Sequence, residues 1–158
     1  GYAQFRGGPK EIDESVLRLI QLEEEYGLDR PETIRGMFQR LESVKKELRD
    51  LIFDFKKHNK TIAGFGAARA GTTLLSYFDI GNNLDFLVDD NETKHYKFSP
   101  GDKLEVFPAS EIYTKSPDYL LILAWLFADK IIDNHRKYLN EGGVFLCLFP
   151  GVKQVKKD

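Results

Sequence analysis

Glycines at 64, 66 and 71, an arginine at 69 and threonines at 72 and 73 fall within one short stretch, Gly64–Thr73. These residue types at this spacing can hold an anion. Glycine lets the backbone pass close to a phosphate, a guanidinium grips two of its oxygens, and the free N–H groups of a helix start carry a partial positive charge. Asp89, at the end of the next apolar run, can accept from a ribose hydroxyl. Lys94 and Lys97 follow it and add positive charge, and Trp125, after a later apolar run, can stack on a base. Each also has a plainer reading. The glycines can form a tight strand-to-helix turn with no ligand, the threonines can cap a helix, and Asp89 can close a turn. The lysines can face solvent, and Trp125 can fill a core.

Two phosphate-binding patterns fit in part. The dinucleotide fingerprint G-x-G-x-x-G asks for a third glycine at position 69, where the chain has Arg69. The P-loop spacing is met by Gly66 and Gly71, but its lysine position holds Thr72. The stretch therefore argues against NAD chemistry and against ATP hydrolysis while leaving an anion site open.

The surrounding elements must put these residues on one edge. Thr61–Phe65 reads as a strand, Thr72–Phe78 as a helix, and Leu84–Val88 as a second strand ending in Asp89-Asp90. Strand, glycine turn, helix and strand with a terminal acid form half of a nucleotide-binding βαβ unit. Further strands follow at Leu104–Pro108, Asp118–Ala124 and Val144–Phe149. A short helix over Ala109–Tyr113 and a longer one from Phe127 to Leu139 separate them. The pattern predicts an α/β fold: a Rossmann-like, mainly parallel five-stranded sheet of order 3-2-1-4-5, with helices on both faces. Ligands of such sheets bind beyond the carboxyl ends of the strands, where Gly66, Asp89, Lys94 and Trp125 all fall.

Two helices precede this core. Asp13-Glu14-Ser15 starts the first and Gly27 stops it; Pro31 opens the second. Ile34, Phe38, Leu41, Val44, Leu48, Leu51, Ile52 and Phe55 make an apolar stripe along the second. The long helix is expected to pack on the sheet and the first helix against it. Residues 1–10 alternate as a strand stub from a preceding domain, with Tyr2, Gln4 and Arg6 on one face. Residues 11–158 are read as one domain, a helical pair over 11–58 followed by an α/β core over 59–150, and the basic tail Lys153–Lys157 is expected to fray.

At 158 residues and a net charge of −2, the chain shows no bulk attraction to nucleic acid or to an acidic membrane. One cysteine excludes a disulfide framework, and three scattered histidines supply no metal cluster. The absence of a signal peptide or long apolar span fits a cytoplasmic location. Gly1 in place of an initiator methionine reads as a fragment or a processed chain.

Several separated motifs share one further resemblance. They are Gly64-Phe65-Gly66-Ala67, Gly71–Tyr77, Leu87-Val88-Asp89, Lys94, Pro100-Gly101, Pro117–Leu120, Leu123-Ala124-Trp125 and Gly142-Gly143. In order and spacing the chain resembles, over about residues 11–150, the C-terminal domain of the S-adenosylmethionine-dependent sugar C-methyltransferases. The resemblance implies methyl transfer to a carbon of a nucleotide-linked deoxy-keto-sugar, bound between this domain and a middle methyltransferase domain. It places S-adenosylmethionine and the general base in that middle domain, and zinc in an N-terminal one. It carries no catalytic residue, metal or cofactor to the present chain; the residues read as substrate-binding are Gly64, Gly66, Arg69, Gly71, Thr72, Thr73, Asp89, Lys94 and Trp125. Family members carry lysine at the position of Ala70 and asparagine at that of Leu126, which leaves Arg69 to meet a phosphate. Two other readings stand beside it: a stand-alone nucleotide-binding module of NAD type, and a structural domain with an empty glycine turn.

Overall fold

The computed structural model describes residues 3–157. The chain divides into two compact units, Gly1–Glu42 and Ser43–Asp158. In the first, α1 (Glu14–Tyr26) starts where its cap requires: the Asp13 carboxylate accepts from the Ser15 N–H at 2.9 Å. It stops at Gly27, left-handed at φ 62°. No residue of α1 is buried, and Val16, Leu19 and Ile20 remain 46–55% exposed, so the expected packing of its stripe is not seen. Tyr2 lies outside the described residues, and residues 3–10 form no strand. Instead the Gln4 side chain closes that segment on itself, bonding the backbone N–H and C=O of Lys10.

α2 (Pro31–Lys57) begins in the first unit and ends in the second. Of its predicted stripe, Val44, Leu48, Ile52 and Phe55 are buried, all in the second half. There the helix lies on the sheet, with the Phe55 ring stacked on Tyr119 at 3.6 Å between centroids.

The sheet has six strands in the order β3-β2-β1-β4-β5-β6. These are β1 (Ile62–Phe65), β2 (Phe86–Asp89), β3 (Val106–Pro108), β4 (Tyr119–Ile122), β5 (Val144–Cys147) and β6 (Lys153–Val155). The first five pair in parallel, as the strand–helix alternation requires. β6 is antiparallel to β5, with Leu146 opposite Gln154. The tail expected to fray is thus an edge strand: the connection from Cys147 to Lys153 is too short for a parallel crossover but suits a hairpin.

Alternation along the strands assigns the faces. Ala63, Phe65, Val88, Leu120, Ile122 and Phe145 pack with Ile112, Ile131 and Tyr138 of α4 (Glu111–Lys115), α5 (Ala128–Asn134) and α6 (Arg136–Asn140). The other face meets α2 and α3 (Arg69–Phe78). The single helix expected over Phe127–Leu139 is a 3-10 turn at Trp125–Phe127 followed by α5 and α6, broken at His135 (φ −115°, ψ 30°). There His135 Nδ1 and the Tyr113 hydroxyl bond at 2.9 Å, and burial holds the imidazole below its ordinary pKa. No helix among the described residues is long and apolar enough to cross a membrane.

Candidate functional site

β1 delivers the chain to the carboxyl edge of the sheet, where its ladder ends with the Gly66 N–H bonded to Val88 O at 2.8 Å. Gly66 turns at φ 107°, and a Cβ there would lie 2.8 Å from the Ala124 Cβ. A Cβ on Gly71 would lie 2.5 Å from Gly66 O. Gly71 is what lets α3 rest on the end of β1, so the third glycine of the fingerprint is displaced by two residues and keeps its packing role. Gly64 lies within β1, where a Cβ would meet the side chains of Leu84, Leu87 and Leu123.

α3 starts at Arg69 behind Ala68, which supplies no side-chain cap. Thr72 and Thr73 do not cap it either; their hydroxyls donate back to Ala68 O (3.4 Å) and Arg69 O (3.1 Å). The start of the helix therefore has no side-chain cap, and the exposed Arg69 stands at it.

Asp89 is 7% exposed. Its Oδ2 accepts from the Ala67 N–H at 2.7 Å and from the Lys94 ammonium at 2.8 Å, and its Oδ1 from the Asn91 N–H at 2.8 Å. His95 Nε2 meets the Asp89 carbonyl at 2.8 Å. Sequence left this acid open between a ribose acceptor and an acid that closes the strand-end turn. The structure uses it as a strut tying the glycine turn to the connection after β2. Lys94 is held by the strut, whereas Lys97 donates to the Thr93 carbonyl and, among the described residues, pairs with no carboxylate.

Two cavities border this edge. One, of about 160 Å³, is lined by Ala67, Thr72, Thr93, Lys94, Lys97 and Phe98 among others. The second, of about 290 Å³, is lined by Thr72, Leu75, Ser76, Asp79, Pro100 and Asp102 among others. Thr72 and Pro100 are common to both. Arg69 and Trp125 line neither. Trp125 is 40% exposed beyond β4, edge-on to Phe149 at 5.1 Å, with Leu126 and Phe127 more exposed beside it. Sequence reading missed Ser76, Asp79, Phe98 and Asp102. The signal for the α3 residues was present: 72, 75, 76 and 79 recur at helical spacing and share a face, of which only Leu75 is apolar.

The opposite edge carries a second multiply bonded acid, this one partly exposed. Asp118 accepts from Lys60 Nζ, the Thr61 N–H and the Thr61 hydroxyl, each at 2.9 Å. Burial works against its charge, but these bonds outweigh it and bring the carboxyl to about 2. Among the described residues no group of three or more His, Cys, Asp or Glu is placed to hold a metal ion.

Residues 2–150 match the family described as the C-methyltransferase C-terminal domain. The chain is 31% identical over 149 residues to the C-methyltransferase NovU of Streptomyces niveus, covering 94% of this chain and 36% of that protein. It therefore spans about a third of the length of this curated relative. Among solved structures it is similar to UDP-D-quinovosamine 4-dehydrogenase from Vibrio fischeri, at 17% identity and a TM-score of 0.45, covering 61% of this chain and 93% of that one.

Proposed function

The chain belongs to the family of C-methyltransferase C-terminal domains, and from that premise we propose that it is the nucleotide-sugar-binding part of an S-adenosylmethionine-dependent enzyme that methylates a carbon of a nucleotide-linked deoxy-keto-sugar. The observation that carries the reading is the uncapped start of α3 behind the Gly66 turn, with Arg69 exposed beside it at the carboxyl edge. A diphosphate there meets N–H groups without a side-chain cap, the positive end of the helix and a guanidinium able to take two oxygens. Gly66 and Gly71 shape the turn, and the Asp89–Lys94 strut fixes its position. Trp125 offers its exposed face to the remainder of the ligand.

Two features argue against NAD at this edge: Arg69 stands where the dinucleotide fingerprint has its third glycine, and Asp89 is buried with its oxygens bonded to Ala67, Lys94 and Asn91 rather than open to ribose hydroxyls. The reading assigns the cofactor, the base that forms the enolate and a zinc site to other parts of the enzyme, and assigns this chain no catalytic residue. The partners it implies are the nucleotide-linked sugar and the methyltransferase domain, with neither nucleic acid nor membrane, in the cytoplasm.

The test is an NMR titration of this chain with uridine diphosphate. The expected dissociation constant is on the order of a millimolar, because only one wall of the cleft is present. Losing a charge-assisted contact costs about 1.5–3 kcal/mol, so Arg69→Ala should weaken binding by more than about tenfold and Lys97→Ala by less. Undiminished binding by Arg69→Ala, or shifts confined to the Asp118 edge, refutes the site. Calorimetry with S-adenosylmethionine should show no saturable uptake. Tighter binding of NAD than of uridine diphosphate would favour a stand-alone NAD-type module instead.

A further inference from the structure

The helical unit, Gly1–Glu42, buries no side chain among its described residues. α1 is capped at both ends, yet Val16, Leu17, Leu19, Ile20 and Leu22 all remain 44–59% exposed. Val16, Leu19 and Ile20 stand at i, i+3 and i+4 and share one face. α2 repeats the pattern. Its stripe, buried at Val44, Leu48, Ile52 and Phe55, continues toward the start of the same helix through Phe38, Met37 and Ile34, which are exposed. A helix of 13 residues is marginal in water and takes its stability from a covered apolar face. Exposed apolar faces of this extent on a folded chain mark an interface.

Charge narrows what covers it. Glu11, Asp13 and Glu14 lie at one end of α1 and Glu23, Glu24 and Glu25 at the other, with Arg18 between them. The last turn holds no base, so the negative end of the helix dipole meets three acids. A symmetric dimer would bring the same face of a second copy. Laid on itself in either direction, α1 sets acid against acid. The same residues repel an anionic membrane. The surface that fits is apolar, with Lys or Arg where the three glutamates come to rest. The matched family is the C-terminal domain of a C-methyltransferase, and the match covers 36% of the curated relative, so most of that protein lies outside it.

Resting on the reading of this chain as one part of a larger C-methyltransferase, we propose that the helical unit is the docking surface for the methyltransferase part of that enzyme. That part covers the apolar faces of α1 and of the first half of α2, and sets cations against Glu23, Glu24 and Glu25. The docking surface lies on a different unit from the start of α3. The domain is thus held to the enzyme by one unit and takes its ligand with the other.

The test is hydrogen exchange, read by mass spectrometry, on this chain and on the intact enzyme that carries it. The amides of α1 should exchange at least about tenfold more slowly in the intact enzyme, with those of β1 and β4 unchanged. Ile20→Asp puts a charge on the apolar face and should return α1 in the intact enzyme to the rate seen in this chain. Arg18→Asp makes a similar change on the polar face and should leave α1 protected. Neither position is buried, so the urea midpoint of the α/β core should not move in either variant of this chain. Sedimentation should show this chain alone as a monomer. Equal α1 exchange in the two proteins, protection that survives Ile20→Asp, or equal loosening by Arg18→Asp overturns the docking surface. A shifted core midpoint in Ile20→Asp, or a dimer of this chain that Ile20→Asp dissociates, overturns it too, giving the face to the chain itself or to a second copy. The uridine diphosphate titration separates this surface from the nucleotide site. Binding with α1 unprotected keeps the nucleotide site and removes the docking surface; protection without binding does the reverse.

Discussion

Replacing Asp89 by asparagine tests whether the carboxylate is a strut. The side chain is 10% exposed and its two oxygens hold three donors from two segments. Asparagine can keep its oxygen on the Ala67 N–H and the Lys94 ammonium only by turning its amide nitrogen toward the Asn91 N–H, which sets donor against donor. One neutral bond is lost, at about 1 kcal/mol, and the Lys94 bond loses its charged acceptor. Lys94 keeps 32% of its side chain exposed and recovers some hydration, which brings the sum to about 2 kcal/mol. In urea, followed by the fluorescence of the single tryptophan, Trp125, the unfolding midpoint should fall with an unchanged slope. The thermal midpoint should fall by roughly 4–8 °C for a chain of this size. A double-mutant cycle with Lys94→Met should give a coupling of about 1 kcal/mol or more. A loss under about 0.5 kcal/mol for Asp89→Asn, or no coupling to Lys94, refutes the strut and returns Asp89 to the ligand.

Two glycine replacements should differ in sign. Gly71→Ala drives a Cβ to 2.5 Å from a backbone oxygen and should cost about 1–3 kcal/mol, read by urea unfolding. Gly36→Ala, in α2 with nothing nearer than Arg40 Nη1 at 3.7 Å, should stabilise its helix by about 0.5–1 kcal/mol, read as a higher midpoint for loss of helical circular dichroism. Equal effects at the two positions would refute the close approach of α3 to β1. Asp118 should shape acid unfolding. Its carboxyl is held at about 2 against an ordinary 3.8, so its contribution is complete above the unfolded value and is lost as pH falls through 3.8 toward 2. The shift discounts to about 1 kcal/mol for a side chain 35% exposed. Asp118→Asn should therefore be less stable than the parent at pH 6 and level with it near pH 2, as measured by urea midpoints across pH; a gap that persists at pH 2 would refute the assignment.

Much of the fold was legible along the chain because it rests on local signals. Asp13, Gly27 and Pro31 mark helix ends through caps and a fixed φ, which act within one turn. The apolar runs at Ile62–Phe65, Phe86–Val88 and Tyr119–Ile122 are continuous because parallel strands are buried on both faces. Right-handed crossovers then leave few orders, among them the 3-2-1-4-5 found here. What tertiary structure alone decided depends on partners distant in sequence. Lys153-Gln154-Val155 has no strand pattern of its own and becomes β6 because β5 offers an unpaired edge. The helix predicted through His135 breaks there, where its imidazole meets Tyr113 from another helix. Asp89 looks the same in sequence whether it faces a ribose or its own chain. Only the fold brings Ala67 N–H, from 22 residues earlier, and Lys94 onto its oxygens. The cavities beside α3 are legible on one side only, since one wall is a face of α3 while the other is the connection between β2 and β3 that the sheet brings alongside it. Burial and periodicity are written in neighbouring residues, whereas the sharing of a carboxylate or the shape of a cavity is set by which distant segments the core brings together.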